Sequence, residues 1–362
     1  MFADVYRGRR VLITGHTGFK GSWLCAWLKL AGAELCGISL ETRTDPCHYD
    51  LLGLDGIRSE TQDIRDLEKL KRILGEFQPE IIFHLAAQPL VRYSYLHPVE
   101  TFATNVLGMV NLLEAVRETE SVRAVVAVTS DKCYENRNLE RGYRESDPMG
   151  GYDPYSASKG CAELVISSYR RSFFVPEEYG RTHHLLLASA RAGNVIGGGD
   201  WAEDRLVPNL MKSASLKRIE PLRNPGAVRP WQHVLEPLSG YLFLGQRLME
   251  GKKRVASPWN FGPAETEERT VLETAGALQT HWDRIRFRPA PDGGPHEASK
   301  LKLSSAKAYR QLHWRPVWDT DRAMERTALW YRDYYTCNKI NTDKDLHQYL
   351  SDAEQEGLIW TK

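Results

Sequence analysis

Three observations predict the fold class of this 362-residue chain. Short apolar runs alternate with stretches of helical periodicity through the first half, a glycine-rich turn follows the first apolar run, and Gly, Pro and Trp become frequent beyond Arg191. Strands and helices that alternate in this way form βαβ units and a parallel sheet. We therefore predict an α/β protein with a doubly wound parallel sheet of the Rossmann type and a smaller, loop-rich α/β lobe in its C-terminal part.

The predicted strands are short and almost wholly apolar, as in parallel strands that are covered on both faces. They fall at residues 10–14, 35–40, 81–85, 122–129 and 185–190. Periodicity of 3.6 residues predicts helices at 21–31, 66–77, 101–118 and 154–171. Trp23 and Trp27 lie at helical spacing and are expected in the core. The tail after Thr336 is polar, and we expect part of it to be mobile.

Composition and charge exclude several classes of protein. Lys plus Arg (48) nearly balance Asp plus Glu (47), so the net charge of +1 gives no electrostatic basis for binding nucleic acid or an anionic membrane. No apolar run approaches the roughly 20 residues of a membrane span, and the N-terminus does not read as a secretory signal. The six cysteines lack metal-ligand spacing. We expect a cytoplasmic protein with reduced, packing cysteines and no metal site.

The glycine-rich turn lies between the first predicted strand and the first predicted helix. Gly15, Gly18 and Gly21 are spaced three residues apart, which lets the backbone turn tightly and approach a pyrophosphate, whose charge is met by N–H groups at the helix start. The turn therefore predicts a dinucleotide cofactor. His16 is bulky for this position. It is either a tolerated loop residue or a side chain that crowds the pyrophosphate and weakens cofactor retention.

The end of the second strand bears on the choice between NAD and NADP. The segment Ser39-Leu40-Glu41 has no Asp at the strand tip to hold the adenosine ribose. Glu41 could substitute for it, whereas Arg43 could meet a 2′-phosphate. We favour NAD.

Tyr155 and Lys159 form a YxxxK pattern about 25 residues after a predicted strand that ends at Thr129-Ser130. On a helix, both side chains project from one face, one turn apart. A free tyrosine has a pKa of about 10. A neighbouring ammonium and a cationic nicotinamide ring would lower that pKa. The pair can therefore take a proton from a hydroxyl while a hydride leaves the same carbon.

On these residues the sequence resembles the nucleotide-sugar 4,6-dehydratases, a family of extended short-chain dehydrogenases/reductases. The glycine turn and YxxxK are shared by the whole superfamily, whereas the Ser-Asp-Lys triplet at 130–132 and RPWQHV from Arg229 are more specific. Matching stretches cover most of the chain to about residue 320: GHTGFKGSWL from Gly15, HLAAQPLVRYSY from His84, ETFATNV from Glu100, VTSDKCYEN from Val128, YDPYSASKG from Tyr152, RAGNVIGGGDW from Arg191, RPWQHVLEPLSGYL from Arg229 and WNFGP from Trp259.

The resemblance implies a reaction in three steps that leaves the cofactor unchanged. Tyr155 deprotonates the C4 hydroxyl as the C4 hydride passes to NAD. The C5 proton is then removed while water leaves from C6, and the hydride returns to C6, which gives a 4-keto-6-deoxy sugar. Ser130 would hydrogen-bond the C4 oxygen, and Asp131 would protonate the departing C6 hydroxyl. The resemblance also implies a cytidine nucleotide, CDP-D-glucose, as substrate; the residues alone do not identify the base.

The same resemblance divides the chain and assigns further contacts. Residues 1–190, with roughly 232–262, would form the NAD-binding domain, and 191–231 with 263–350 the substrate-binding lobe. Beyond Gly15, His16, Gly18 and Gly21, cofactor contacts are expected at Phe19, Asp63, Ile64, Leu85, Ala86, Ala87, Asn105, Tyr155 and Lys159. Asp63 could also be a helix N-cap. Substrate contacts are expected at Gln88, Arg92, Asn194, Asn209, Arg229, Trp259, Asn260 and His296.

Some of these assignments have structural alternatives. Arg229 and His296 suit a diphosphate, because a guanidinium can bind one bidentately, but Arg229 could be a structural ion-pair residue. Trp259 and Asn260 could be a packed tryptophan and a turn asparagine.

Lys132 stands where the dTDP-glucose relatives carry a glutamate as the C5 base. A lysine is a base only when neutral, so its pKa would have to fall by ~3 units from about 10.4. Alternatively, a charged lysine stabilises the enolate and leaves proton removal to another group. We favour Lys132 as the base; a lysine on a surface loop is the structural alternative.

Two other functions stay open, and the assembly is inferred from resemblance alone. A nucleotide-sugar 4-epimerase shares Tyr155 and Lys159 but needs no acid/base pair for C6, so Asp131 and Lys132 favour dehydration. A non-catalytic NAD-sensing regulator on the same fold usually lacks the Tyr/Lys pair. The helices at 101–118 and 154–171 resemble those that form a four-helix contact in these enzymes, so we expect a homodimer or a dimer of dimers.

Overall fold

The computed structural model describes residues 1–41, 44–264, 269–290 and 301–362. Its strands are β1 (Arg10–Thr14), β2 (Glu34–Ser39), β3 (Arg58–Thr61), β4 (Ile81–His84), β5 (Ala124–Val128), β6 (Leu186–Ala192), β7 (Val195–Ile196), β8 (Ile219–Leu222), β9 (Val228–Arg229), β10 (Gln232–His233), β11 (Pro258–Phe261), β12 (Arg269–Thr270) and β13 (Arg286–Pro289). Seven of the described strands form one parallel sheet in the order β3-β2-β1-β4-β5-β6-β11. The strand order reverses beside β1, which confirms the predicted doubly wound sheet.

Helices cover both faces of this sheet. They are α1 (Phe19–Leu30), α2 (His48–Leu52), α3 (Leu67–Phe77), α4 (Val91–Leu96), α5 (Pro98–Phe102), α6 (Gly108–Arg117), α7 (Pro154–Ser172), α8 (Leu206–Ser215), α9 (Leu235–Met249), α10 (Val271–His281), α11 (Thr320–Cys337) and α12 (Thr342–Gln355). Val11 and Ile13 of β1 face the core on the side of α1 and α9, whereas Leu12 between them faces the core on the side of α3, α6 and α7. This alternation between two apolar cores explains why the strands read as continuous apolar runs.

The segment predicted as one helix at 101–118 is interrupted. The chain runs from α5 through a π-helical turn at Ala103–Leu107 into α6. The wider turn lies around Asn105, whose side chain is buried and hydrogen-bonded. One extra residue in a helix rotates the following residues by about 100°, and one continuous helical pattern over 101–118 does not include such a phase shift.

Beyond β6, the described residues form three small two-stranded sheets, β7 with β10, β8 with β13 and β9 with β12. Helices α8, α10 and α11 pack around them, while β11 returns to the edge of the large sheet. A loop-rich C-terminal part of α/β character is thus present. The residue boundaries of the two lobes stay a prediction.

The C-terminal tail is a packed helix, not the loose segment that its polarity suggests. Tyr349 of α12 is fully buried 5.7 Å from the ring of Trp27, and Trp360 stacks on Phe2 at 5.3 Å. The Ala3 N–H donates to the Lys362 carbonyl at 2.8 Å. A few large apolar side chains carry this packing, so the average polarity of the segment is misleading.

All six cysteines of the chain are free, and Cys25, Cys36, Cys47 and Cys133 are buried.

In the described ranges, no group of three or more His, Cys, Asp or Glu is placed to hold a metal ion. Likewise, none of the helices among these residues is both long and apolar enough to cross a membrane.

Candidate active site

The glycine turn joins β1 to α1 and forms a tight cradle. Gly15 has φ +76°, and a Cβ there would lie 2.8 Å from the Ala86 nitrogen. A Cβ on Gly21 would lie 2.1 Å from the Gly15 carbonyl oxygen. Only glycine fits at these two positions. Gly18 precedes α1, whose first N–H groups have no intrahelical acceptor and so offer an anion site. This cradle fits the pyrophosphate of a dinucleotide.

The segment after β4 closes one side of the turn. Leu85 N–H donates to the Thr14 carbonyl at 3.0 Å, and Ala86 N–H donates to Thr14 Oγ1 at 3.2 Å. Leu85, Ala86 and Ala87 are partly exposed beside Gly15. The structure therefore gathers these predicted cofactor residues around the glycine turn.

The side chains of Asn105 and Gln88 form a hydrogen-bond network beneath the segment that follows β4. The Asn105 side chain accepts from Gln88 N–H at 2.8 Å and donates to the Gln88 carbonyl at 3.1 Å and to Ser158 Oγ at 2.8 Å. Gln88 is buried, and its amide also donates to Thr101 Oγ1 at 2.9 Å. These contacts give both residues a positioning role between the sheet edge and α7.

His16 points away from the turn and into the protein. Its ring contacts Ser59 Oγ at 2.7 Å and Ser39 Oγ at 3.0 Å and packs over Gly37, where a Cβ would lie 2.2 Å from the ring. Burial lowers the pKa of His16 to about 4, so the ring is neutral at pH 7. The ring thus lies at the tip of β2, on the side expected for the adenosine ribose. The effect of His16 on cofactor retention stays a prediction.

The residues expected near adenine are partly engaged with protein groups. Asp63 accepts from the Arg65 N–H at 2.8 Å and pairs with the Arg65 guanidinium at 2.5 Å. The N-cap of α3 is Asp66, not Asp63, because Asp66 accepts from Lys69 N–H at 3.2 Å. Ile64 is buried against Gly108. Glu41 is exposed, and Arg43 lies outside the described residues.

The turn after β5 carries the Ser-Asp-Lys triplet. Ser130 caps this short turn, accepting from the Lys132 N–H at 3.2 Å and donating to Asp131 Oδ1 at 3.0 Å. Asp131 is 3% exposed. Among the described residues, its Oδ2 atom has no hydrogen-bond partner. Lys132 is partly exposed beside it.

Tyr155 enters this cluster from the first turn of α7. Asp153 caps the helix by accepting from Ser156 N–H at 2.9 Å, and Tyr155 N–H donates to Ser94 Oγ at 3.1 Å. The phenol is 8% exposed and lies near the side chain of Ser130. Burial raises the pKa of Tyr155 to about 12, although the neighbouring Ser130 hydroxyl opposes this rise. The protein alone therefore keeps the phenol protonated.

Lys159 follows one helical turn later and is also buried. Burial lowers the pKa of Lys159 to about 8, and the Glu163 carboxylate opposes this shift. Glu163 is itself held by Arg191 through a bidentate pair at 2.8 and 2.7 Å and by Thr129 Oγ1 at 2.5 Å. This buried network fixes α7 to β5 and β6 behind the two catalytic candidates.

The electrostatics of Asp131 suit a proton donor. Burial raises the pKa of Asp131, while the charges of Lys132, Lys20 and Arg229 act in the opposite direction. A raised carboxyl pKa increases the protonated fraction near neutral pH, as a general acid requires. Lys132 is close enough to influence that carboxyl, which leaves both predicted roles for Lys132 available.

Three side chains of this cluster, those of Lys20, Arg205 and Tyr241, are not predicted from the sequence. Lys20 of α1 places its Nζ 3.5 Å from Tyr241 Oη, and its charge acts on Asp131. Arg205 pairs with Asp200 at 2.8 Å and interacts electrostatically with Tyr155. A lysine within the glycine turn was a visible signal for Lys20. No local pattern marks Arg205 or Tyr241, because only the tertiary fold brings them here.

Several predicted substrate residues surround the cluster. The turn at Gly193, next to Asn194, approaches Asp131: a Cβ on Gly193 would lie 3.1 Å from Asp131 Oδ2. Arg229 is buried, donates to the Val228 carbonyl at 2.9 Å and acts electrostatically on Asp131. Asn209 lies partly buried on α8, one turn after Arg205.

The other predicted substrate residues are placed differently. Trp259 and Asn260 are fully buried; Trp259 Nε1 donates to the Val255 carbonyl at 2.8 Å, and Asn260 Oδ1 accepts from Tyr134 Oη at 2.7 Å. This favours the packing alternative over a substrate contact, because no surface of either side chain reaches solvent. Arg92 lies 3.8 Å from Asp204. His296 lies outside the described residues.

The sheet, the glycine cradle and the Tyr155/Lys159 pair define an enzyme of the extended short-chain dehydrogenase/reductase class. A family model described as GDP-mannose 4,6 dehydratase matches residues 12–327. The chain is 48% identical over 356 residues to the CDP-glucose 4,6-dehydratase of Salmonella typhimurium, which covers 96% of this chain and 98% of that protein. The chain belongs to the nucleotide-sugar 4,6-dehydratase family.

Solved structures agree with the fold. The dTDP-glucose 4,6-dehydratase of Streptomyces venezuelae, solved with NAD bound, is 25% identical with a TM-score of 0.75 and covers 90% of this chain and 97% of its own. An epimerase of Methanothermobacter thermautotrophicus is 24% identical with a TM-score of 0.80, covering 92% of this chain and 95% of its own. This second likeness concerns the fold alone.

Proposed function

We propose that the protein is an NAD-dependent hydro-lyase that converts CDP-D-glucose into CDP-4-keto-6-deoxy-D-glucose and water. The juxtaposition of Ser130, Asp131 and Tyr155 carries the proposal, because it combines a base for C4 oxidation with an acid for loss of the C6 hydroxyl. The similarity to a CDP-glucose 4,6-dehydratase supports cytidine as the base. The free, mostly buried cysteines support a reducing, cytoplasmic setting.

The glycine cradle and the residues after β4 would hold NAD. NAD supplies a hydride acceptor for C4 and a hydride donor for C6. Gly15 and Gly21 allow the backbone to approach the pyrophosphate, and the N-terminus of α1 offsets its charge. Lys159 lies one turn from Tyr155, on the helix face that meets the cluster.

Tyr155 would accept the proton of the C4 hydroxyl. Its raised pKa has to fall before it can act. The charge of Arg205 already favours the phenolate, and a positive nicotinamide ring together with the Lys159 ammonium one helical turn away would favour it further. Ser130, which lies near Tyr155 and acts on its pKa, would orient the same substrate oxygen.

Elimination would use the neighbouring pair. Asp131 has a raised pKa, and its Oδ2 atom has no hydrogen-bond partner in the described part of the chain; it would protonate the C6 hydroxyl as it leaves. Lys132 would remove the C5 proton and return it to C5 when the hydride is delivered to C6. A 4-epimerase has no step that needs such an acid, so the buried carboxyl of Asp131 favours dehydration over epimerisation.

The first test is incubation with NAD and, separately, CDP-glucose, dTDP-glucose or GDP-mannose, followed by mass analysis of the sugar nucleotide. We expect CDP-glucose to lose one water without net NADH formation and to give a product with 4-keto absorbance in alkali. Tyr155→Phe should lower the rate by roughly 10²-fold or more, because the base is lost.

An isomerised product of unchanged mass would contradict the proposal in favour of an epimerase. Absence of turnover with every sugar nucleotide would favour the NAD-sensing regulator.

The role of Lys132 is tested by separating oxidation from elimination. Lys132→Ala should still oxidise C4, seen as NADH absorbance, but should lose at least roughly 10²-fold in water elimination. Lys132→Arg keeps the positive charge but cannot act as a base near neutral pH. It should resemble Lys132→Ala if Lys132 is the base. Normal product formation by Lys132→Ala would remove Lys132 from the chemistry.

We further propose that the protein forms a homodimer through α5, the π-helical turn and α7. These elements pack together and leave large apolar side chains in solvent, which a second copy of the same face would cover. They are Val99, Phe102, Leu107 and Leu164, with exposed fractions of 80, 37, 57 and 60%. We call this set the α5–α7 face.

A charge-insertion experiment tests the dimer. In the double variant Leu107→Glu/Leu164→Glu, two carboxylates would be buried without partners, so the dimer dissociation constant should rise at least roughly 100-fold. Sedimentation velocity measures it. Leu216→Glu, at a 52% exposed leucine outside the face, is the matched control and should leave the dimer intact. Unchanged sedimentation of the double variant would show that this face is not the interface.

A further inference from the structure

Lys20 lies near the proposed catalytic residues but takes no part in the proposed proton transfers. It is the second residue of α1, directly beyond the glycine cradle, and its Nζ lies 3.5 Å from Tyr241 Oη on α9. Its charge interacts with those of Asp131 and Lys159. The backbone of Lys20 therefore lies beside the glycine cradle, while its ammonium contacts Tyr241 and is near enough to the Asp131 carboxyl and the Lys159 ammonium for their charges to interact.

A dinucleotide anchored at the cradle has to span the same two places to bring its nicotinamide to Tyr155. We infer that Lys20 lies beside the nicotinamide end of the bound cofactor and shifts the enzyme's preference from NAD toward NADH. The nicotinamide ring of NAD is cationic and that of NADH is neutral, so a nearby ammonium disfavours only the oxidised ring. This inference rests on the proposed cofactor site but not on the identity of the sugar nucleotide.

The surrounding charges leave Lys20 less compensated than its neighbours. Arg205 forms an ion pair with Asp200 at 2.8 Å, and the charge of Lys159 is opposed by Glu163. Lys20 contacts a neutral phenol, and Asp131, the carboxylate whose charge acts on it, becomes neutral when it is protonated as the acid. Burial lowers the pKa of Lys20 to about 8, so most of the amine is charged at pH 7.

A preference for NADH over NAD affects both redox steps of the proposed reaction. A site that holds NADH more tightly than NAD makes bound NAD a stronger oxidant, which favours oxidation at C4. It also retains the reduced cofactor until the hydride is returned to C6. Lys20 thus sets how strongly bound NAD oxidises the sugar and takes no part in the proton transfers.

Binding measurements on the cofactor-free protein test the inference without turnover. The dissociation constant of NADH is measured by its fluorescence and that of NAD by competition, for the wild type and for Lys20→Met. The ratio of the NAD constant to the NADH constant should fall at least about tenfold, equivalent to about 1.4 kcal/mol. Lys20→Arg, which keeps the charge, should stay within about threefold of the wild type. Lys29→Met, at an exposed lysine of the same helix, should leave the ratio unchanged.

Two results would overturn the inference. An unchanged ratio in Lys20→Met would show that the ammonium does not sense the ring. Equal weakening of both cofactors would assign Lys20 to the pyrophosphate, whose charge is the same in both. Lys20→Gln serves as the second variant if the thermal unfolding midpoint of Lys20→Met shows that it does not fold. Failure to dehydrate CDP-glucose would leave this binding result intact, so the two proposals fail separately.

Discussion

Burial of the Tyr155 phenol is the constraint on which the rest of the site depends. In the protein alone, burial raises the pKa of Tyr155 to about 12, so the residue is a poor base at neutral pH. The charge of Arg205 already opposes this rise, so a further fall needs positive charge that the protein alone does not supply, and a nicotinamide cation would supply it. In the proposed mechanism, cofactor binding would therefore activate the base.

The fold meets this constraint by gathering residues at the carboxyl edge of one parallel sheet. The glycine cradle follows β1, the Ser-Asp-Lys turn follows β5, and α7 delivers Tyr155 and Lys159 beside them. Behind α7, Glu163 and Arg191 are paired in the core, where burial would raise the pKa of Glu163 but Arg191 and the hydrogen bonds hold it below the usual value. Breaking one partner would leave the other charge buried, so this pair keeps α7 fixed against the sheet.

Much of the fold could be predicted because it depends on local sequence patterns. Strands with both faces covered are apolar throughout, three spaced glycines indicate the cradle, and YxxxK at helical spacing indicates the proposed catalytic pair. The π-helical turn at Asn105 and the packing of Trp360 on Phe2 could not be predicted, because both involve contacts between parts of the chain that are distant in sequence. The same holds for Arg205 and Tyr241. Trp259 and Asn260 are fully buried, which favours the packing alternative that the sequence left open for them, and their contact with substrate stays a prediction.

The most direct test of this account is a titration of the Tyr155 phenol with and without NAD. Tyrosinate absorbance is recorded against pH for the wild-type protein, and the same titration of Tyr155→Phe is subtracted to isolate this residue. We expect Tyr155 to ionise near pH 12 in the cofactor-free protein and several units lower once NAD is bound, because a cation then faces the buried phenol. A phenol that ionises at the same pH in both forms would contradict the account.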